Sequence, residues 1–230
     1  MNRKIWKALG IAVCMLALAA PRAMAKTYEV GTEDKFAEAV QEINKKSSDV
    51  ENEIVLMQKI TLDGDTTYTL SRGRTTIKGE GHKITIKSKA EIKVTGEGTV
   101  LNLGVNGYDK KLTIDGDTTA AFIVVSGGAT ANMNENVTLQ NRKSTDNACV
   151  VIMGSNSVFN MHGGVIQNCK GKYGGVSLKN GSGFIMEGGT ISGCSAGAGG
   201  GLYATYSSKI TINKGTISEC SASEGGGLYA

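Results

Sequence analysis

A repeat of about 25 residues leaves this chain few folds to adopt. Three segments align: Asn160-Met-His-Gly-Gly-Val-Ile-Gln-Asn-Cys169, Met186-Glu-Gly-Gly-Thr-Ile-Ser-Gly-Cys194 and Ile212-Asn-Lys-Gly-Thr-Ile-Ser-Glu-Cys220. Ile166, Ile191 and Ile217 then share one position at intervals of 25 and 26. Fifteen residues before each stand Val151, Val176 and Leu202, and Leu228 opens a further copy inside a second Gly-Gly-Gly-Leu-Tyr-Ala. Fainter copies lie upstream. Thr138-Leu-Gln-Asn141 mirrors Val165-Ile-Gln-Asn168, and Val124 stands 15 residues before Leu139. Ile60-Thr-Leu-Asp-Gly-Asp-Thr-Thr67 echoes Leu112-Thr-Ile-Asp-Gly-Asp-Thr-Thr119. With Ile86 between them, one ladder reads Leu62, Ile86, Ile114, Leu139, Ile166, Ile191, Ile217.

Inside each copy the apolar period is two, as in Phe184-Ile-Met-Glu and Lys83-Ile-Thr-Ile-Lys, which marks short strands. No helical stretch separates them, so βαβ folds are excluded. A sandwich does not require one residue type every 25–26 positions, and a propeller blade takes about 40 residues. The expected fold is all-β: a parallel β-helix solenoid whose inward Ile, Val, Leu and Met stack on their own kind from coil to coil. One segment departs from it. Glu33 to Lys46 places Phe36, Val40 and Ile43 at helical spacing, with acids at its start and Lys45 and Lys46 at its end, as a helix dipole favours. A solenoid needs a cap over its terminal coil, so this helix is expected to cover the N-terminal end of the core. The domain then divides into a cap at 26–53 and coils at 54–230. The spacing rule requires an Ile near position 243 after Leu228, so the last coil is expected to continue into further chain or to dock on a partner.

Residues 1–25 read as a secretory signal: Arg3, Lys4 and Lys7, an apolar run from Ala8 to Ala20, then Ala23-Met24-Ala25. That run is too short to span a bilayer, which takes about 20 residues. Of 25 Lys and Arg against 21 Asp and Glu, four bases lie in this leader. The remainder is neutral, which removes any general attraction to nucleic acid. The expected localisation is therefore exported.

The Gly-Gly-Gly-Leu-Tyr motif, followed by apolar-x-Met/Ile-x-Gly-Gly-Thr-Ile-Ser, resembles repeats of bacterial secreted and surface proteins with a right-handed parallel β-helix of the pectin-lyase-like class. Adhesins and polymorphic outer-membrane proteins are among them. The opening Tyr28-Glu-Val, helix, Ile54-Val-Leu and Thr76-Ile-Lys-Gly-Glu-Gly-His-Lys-Ile is similar to the start of that fold. The resemblance implies right-handed coils and a place at the bacterial cell surface, in the outer membrane or outside the cell. Similar repeats often carry Asn where Cys169, Cys194 and Cys220 stand here.

Candidate chemistry is sparse. Beyond the leader the cysteines are Cys149, Cys169, Cys194 and Cys220. The last three share one repeat position, as a stacked ladder of small apolar side chains or as disulfides. No histidine accompanies them at ligand spacing, so no metal is expected, and no cofactor motif occurs. Asp63-Gly-Asp65 and Asp115-Gly-Asp117 are expected two rungs apart on one face, mainly as turns. Arg72, Arg74, Lys78, Lys83, Lys87, Lys89 and Lys93 form a basic stretch that suits anionic glycans or a solvated strand face. His82 and His162 form no catalytic constellation, and Tyr203 and Tyr229 are expected to point outward. Two functions follow as expectations. The first is an exported, non-enzymatic, adhesin-like surface protein whose partner is a glycan or a host surface protein. The second is a polysaccharide lyase or glycoside hydrolase acting on acidic glycans, with Asp115, Asp117 and Lys110 as its candidate catalytic residues.

Overall fold

The computed structural model describes residues 25–144 and 146–230. The leader expectation, apart from Ala25, lies outside the described residues. The chain forms a parallel β-solenoid of about eight turns, with one short helix before the coils. A first sheet of eight strands runs from Lys26–Val30 to Lys209–Ile212. A second, of seven, runs from Thr67–Leu70 to Leu228–Tyr229, and a third, also of seven, from Ile60–Leu62 to Thr216–Ser218. The later coils add a short fourth side: Lys170–Tyr173, Ser195–Ala198 and Ser221–Glu224.

Alternation places every second side chain inward, and parallel pairing stacks like on like. On the first sheet one inner file reads Ile54, Ile77, Leu103, Met133, Met161, Met186, Ile212. Its neighbour reads Leu101, Ala131, Phe159, Phe184, Ile210, with the two Phe rings stacked at 6.1 Å. On the third sheet Ile114, Leu139, Ile166, Ile191 and Ile217 form the expected ladder.

Upstream the register differs from the expectation. Leu62 opposes Ile86, but Ile114 opposes Ile84. The two coils are therefore 24 and 30 residues long at this position, and Ile60 rather than Leu62 belongs to the Ile114 ladder. A slip of two keeps every apolar side chain inward, so the hydrophobic pattern alone does not forbid it. Gly116 lands beside Ile86, where a Cβ would lie 2.0 Å from the Ile86 carbonyl oxygen. Only Gly fits there, at φ +136°. On the second sheet the inner file is Ile123, Val150, Val176, Leu202, Leu228. Val151 therefore does not share the position of Val176 and Leu202. Val124 and Val151 are paired neighbours on the outer face.

The helix α1 spans Glu33–Asn44 rather than 33–46, and Lys45 is its C-cap. Thr32 caps its start, accepting a hydrogen bond from the Lys35 N–H at 3.3 Å. Its buried Phe36, Ala39, Val40 and Ile43 join the solenoid core, and Phe36 meets Tyr68 edge-on at 5.3 Å. The segment assigned to the cap also supplies a strand, because Lys26–Val30 pairs with Glu51–Leu56. Coil structure thus starts before residue 54.

The first sheet's outer face carries an amide ladder. Asn160 donates to Asn132 at 2.8 Å, Asn132 to Asn102 at 2.8 Å, and Asn102 to Thr76 at 3.2 Å. Asn132→Ala removes two of these bonds at a part-buried position. We expect a loss of about 1 kcal/mol, read as a lower urea midpoint at unchanged slope.

Candidate functional site

The three long outer faces differ in chemistry. The first sheet presents Thr76, Asn102, Asn132 and Asn160. The third presents Thr138, Gln140, Gln167, Ser192 and Ser218, with Gln167 donating to Gln140 at 2.8 Å. The second presents Val124, Val151, Ser177, Tyr203 and Tyr229. Tyr173, from the fourth side, stacks on Tyr203 at 4.2 Å and packs against a cluster of Ala121, Val124, Ala148 and Val151. Tyr203 stacks on Tyr229 at 5.4 Å. Valines and tyrosines thus form one stripe along the solenoid. The ring faces turn toward one another, which leaves ring edges and hydroxyls to meet a partner. Burial, then the neighbouring Tyr173, holds the Tyr203 phenol above its ordinary value, so it stays uncharged.

This stripe is flanked by cations. The Lys179 ammonium lies 4.5 Å from the Tyr173 ring centre and that of Lys172 5.5 Å, within cation–π range. Residues 147–186 contain Lys170, Lys172 and Lys179 and no Asp or Glu. None of these three lysines is in an ion pair among the described residues. At the upstream end of the stripe a groove of about 260 Å³ is lined by Glu91, Lys93, Ala121, Val124, Asn147, Val151 and Met153.

Burial holds the Glu91 carboxyl above the usual carboxylate range. Such a group binds its proton more tightly in the folded chain. Its stabilising contribution is complete below the unfolded value and is lost as pH rises through the folded one. Glu91→Gln is therefore expected to raise the urea midpoint at neutral pH and to leave it unchanged near about pH 3, below the ordinary Glu value.

The acidic candidates are only partly brought together. Asp115 and Asp117 line one open pocket of about 370 Å³ with Gly116, Asn141 and Lys143. Asp115 is already engaged, accepting from Lys83 at 2.8 Å and Thr85 at 3.1 Å. Lys110 does not line this pocket. It donates to Glu80 at 2.6 Å, and Tyr108 donates to the same carboxylate at 2.7 Å. Asp63 and Asp115 do not hold equivalent positions, because Asp115 opposes Thr85, which opposes Thr61. The basic stretch is dispersed as well. Arg74 and Lys78 sit on the first sheet, Lys83 on the third and Lys93 on the second. Lys78, Lys83 and Lys89 pair with Glu53, Asp115 and Asp65. His162 is exposed, and the His82 N–H closes a turn onto the Gly79 carbonyl.

A second feature lies inside. Asn141, Asn168, Gly193 and Glu219 all adopt positive φ, a kink that turns the following residue inward. Those residues are Arg142, Cys169, Cys194 and Cys220. Arg142 is fully buried. Its guanidinium donates to the carbonyls of Ala120, Asn147, Lys170 and Thr119 at 2.7–3.2 Å. Burial pulls its pKa down, yet a guanidinium stays charged. Sequence reasoning missed this residue, although the match of Thr138–Asn141 to Val165–Asn168 already aligned it with Cys169. The three cysteines stack in successive coils and are unbridged.

Among the described residues, no group of three or more His, Cys, Asp and Glu has the arrangement to hold a metal ion, and no helix is long and apolar enough to cross a membrane. Comparison of the chain with protein families, curated proteins and solved structures gives no match.

Proposed function

We propose that the chain is an exported, non-enzymatic, adhesin-like scaffold of the bacterial surface that binds an anionic partner along the outer face of its second sheet. The observation that carries this reading is the row of stacked rings Tyr173, Tyr203 and Tyr229, seated on the buried Val124 and Val151, with Lys172 and Lys179 beside it and neither in an ion pair among the described residues. The other two long faces carry polar ladders whose amides already satisfy one another. An aromatic row with a charged margin suits a binding surface, where tyrosines are enriched. The partner chemistry that fits is an acidic glycan or an acidic surface protein. The leader sequence supports export, and the repeat resemblance supports a bacterial surface and right-handed coils.

The test is a screen of acidic and neutral glycans and host-matrix proteins against the chain. Binding to acidic members, weakened by salt and by Lys170→Gln, Lys172→Gln and Lys179→Gln together, supports the proposal. Equal binding by that variant, or no ligand in the screen, counts against it.

The pocket at Asp115 and Asp117 favours a second reading, a lyase or hydrolase of acidic glycans. Against it, Lys83 and Thr85 already hold Asp115. Cleavage of uronate polymers that Asp115→Ala abolishes would establish this reading.

A further inference from the structure

The register defines an inner corner with two facing columns. Pairing of Ile123 with Val150, Val150 with Val176 and Val176 with Leu202 places Phe122, Cys149, Gly175 and Gly201 in one column. Pairing of Lys143 with Lys170, Lys170 with Ser195 and Ser195 with Ser221 places Arg142, Cys169, Cys194 and Cys220 in the other. Each coil therefore begins at one column and ends at the other. The successive facing pairs are Phe122 with Arg142, Cys149 with Cys169, Gly175 with Cys194 and Gly201 with Cys220.

The two glycine pairs measure the gap. A Cβ built on Gly175 lies 3.5 Å from the Cys194 Sγ, and one built on Gly201 lies 3.5 Å from the Cys220 Sγ. The coil that begins at Cys149 repeats this corner with a real side chain in the first column. Cys149 and Cys169 are both fully buried there. The Cys169 thiol meets both the Cys149 and the Cys194 thiols, so the direction of approach decides which of them can bridge. Disulfides need side chains that converge, with Cβ atoms about 3.5–4.5 Å apart; the 3.5 Å from each built Cβ to the opposing Sγ shows that the Cys194 and Cys220 side chains are aimed at the facing column. Facing columns converge. Stacked neighbours such as Cys169 and Cys194 are translated copies about one strand spacing, ~4.8 Å, apart, and their side chains run parallel.

We infer that Cys149 and Cys169 are a disulfide-forming pair that closes one coil of the solenoid on itself, while Cys194 and Cys220 remain thiols. The oxidant is a small-molecule disulfide. The two cysteines lose two protons and two electrons, one S–S bond forms between their Sγ atoms, and the oxidant's S–S bond breaks to give two thiols. The site is buried, so the exchange takes place while the coil is open during folding.

The experiment uses the full chain in a Cys14→Ser background, reduced, unfolded and then refolded with mixed reduced and oxidised glutathione. Free thiols are alkylated under denaturing conditions and peptides are mapped by mass spectrometry. The expected product joins Cys149 to Cys169, lacks the mass of two hydrogen atoms, and carries alkylated Cys194 and Cys220. Cys194→Ser should leave that bond in place, and Cys149→Ser should yield three alkylated thiols. Alkylation of both Cys149 and Cys169 in the refolded parent, or a bond from Cys169 to Cys194 or from Cys194 to Cys220, overturns the inference.

Discussion

Arg142→Ala is expected to lower stability by about 3 kcal/mol, because it removes four hydrogen bonds and leaves the Ala120 and Asn147 carbonyl oxygens without a donor, whereas the Thr119 and Lys170 carbonyls still accept from the Asn147 amide and the Ser144 N–H. The guanidinium fork is what lets one side chain reach Ala120, Thr119, Asn147 and Lys170 together. Those residues come from three different stretches of chain, so Arg142 ties the Asp117–Ala121 bend to the two coils that follow. Arg142→Lys retains the charge but not the fork, and we expect it to recover less than half of the loss. Each coil contacts only its neighbours, so the damage should concentrate in the adjoining turns. Hydrogen exchange should show faster exchange from residues 119–122 and 142–150, with the helix end unaffected. An unchanged urea midpoint for Arg142→Ala would sink this assignment.

Phe159→Ala is expected to cost about 3–5 kcal/mol. Phe159 is fully buried in the first sheet's inner file, where it stacks on Phe184 and follows Ala131. The small Ala131 makes room for the ring, so truncation leaves a void bounded by rigid strands on both sides. Phe159→Leu keeps most of the volume and should cost roughly 1 kcal/mol. Urea unfolding of the two variants gives the comparison. Equal, small losses would mean that neighbouring coils close over the gap.

Much of the fold was legible, and the reason lies in particular residues. Ile166, Ile191 and Ile217 are followed at the same offset by Cys169, Cys194 and Cys220. Two fixed points per coil set the register, and the structure keeps it. Upstream, Ile60-Thr-Leu62 and Ile84-Thr-Ile86 offer two inward residues each, so a slip of two costs no burial and alternation alone does not choose. At Val150-Val151-Ile152 all three residues are buried, because Tyr173 covers the outer one. The period of two vanishes there, and Val151 passes for an inner residue.

The site was less legible for a related reason. Tyr203 and Tyr229 were readable as outward because they follow the stacked leucines. Tyr173 joins their row from a different strand, which only the three-dimensional corner reveals. Sequence proximity made Lys110 look like a partner for Asp115, whereas a lysine on the neighbouring coil, Lys83, is the one that reaches it. Arg142 is polar and sits next to exposed Lys143, so nothing local marks it as an inner residue. The four carbonyls that receive it are brought together by stacking.

The central claim is that binding belongs to the second sheet's outer face. The direct measurement is the affinity of an acidic ligand for Tyr203→Ala and for Asn132→Ala, which alter the second and first faces respectively. Tyr203→Ala is expected to lose affinity about tenfold or more, equivalent to roughly 1.4 kcal/mol, and Asn132→Ala to keep the parent affinity. Parent affinity in Tyr203→Ala, or an equal loss in both variants, would contradict it.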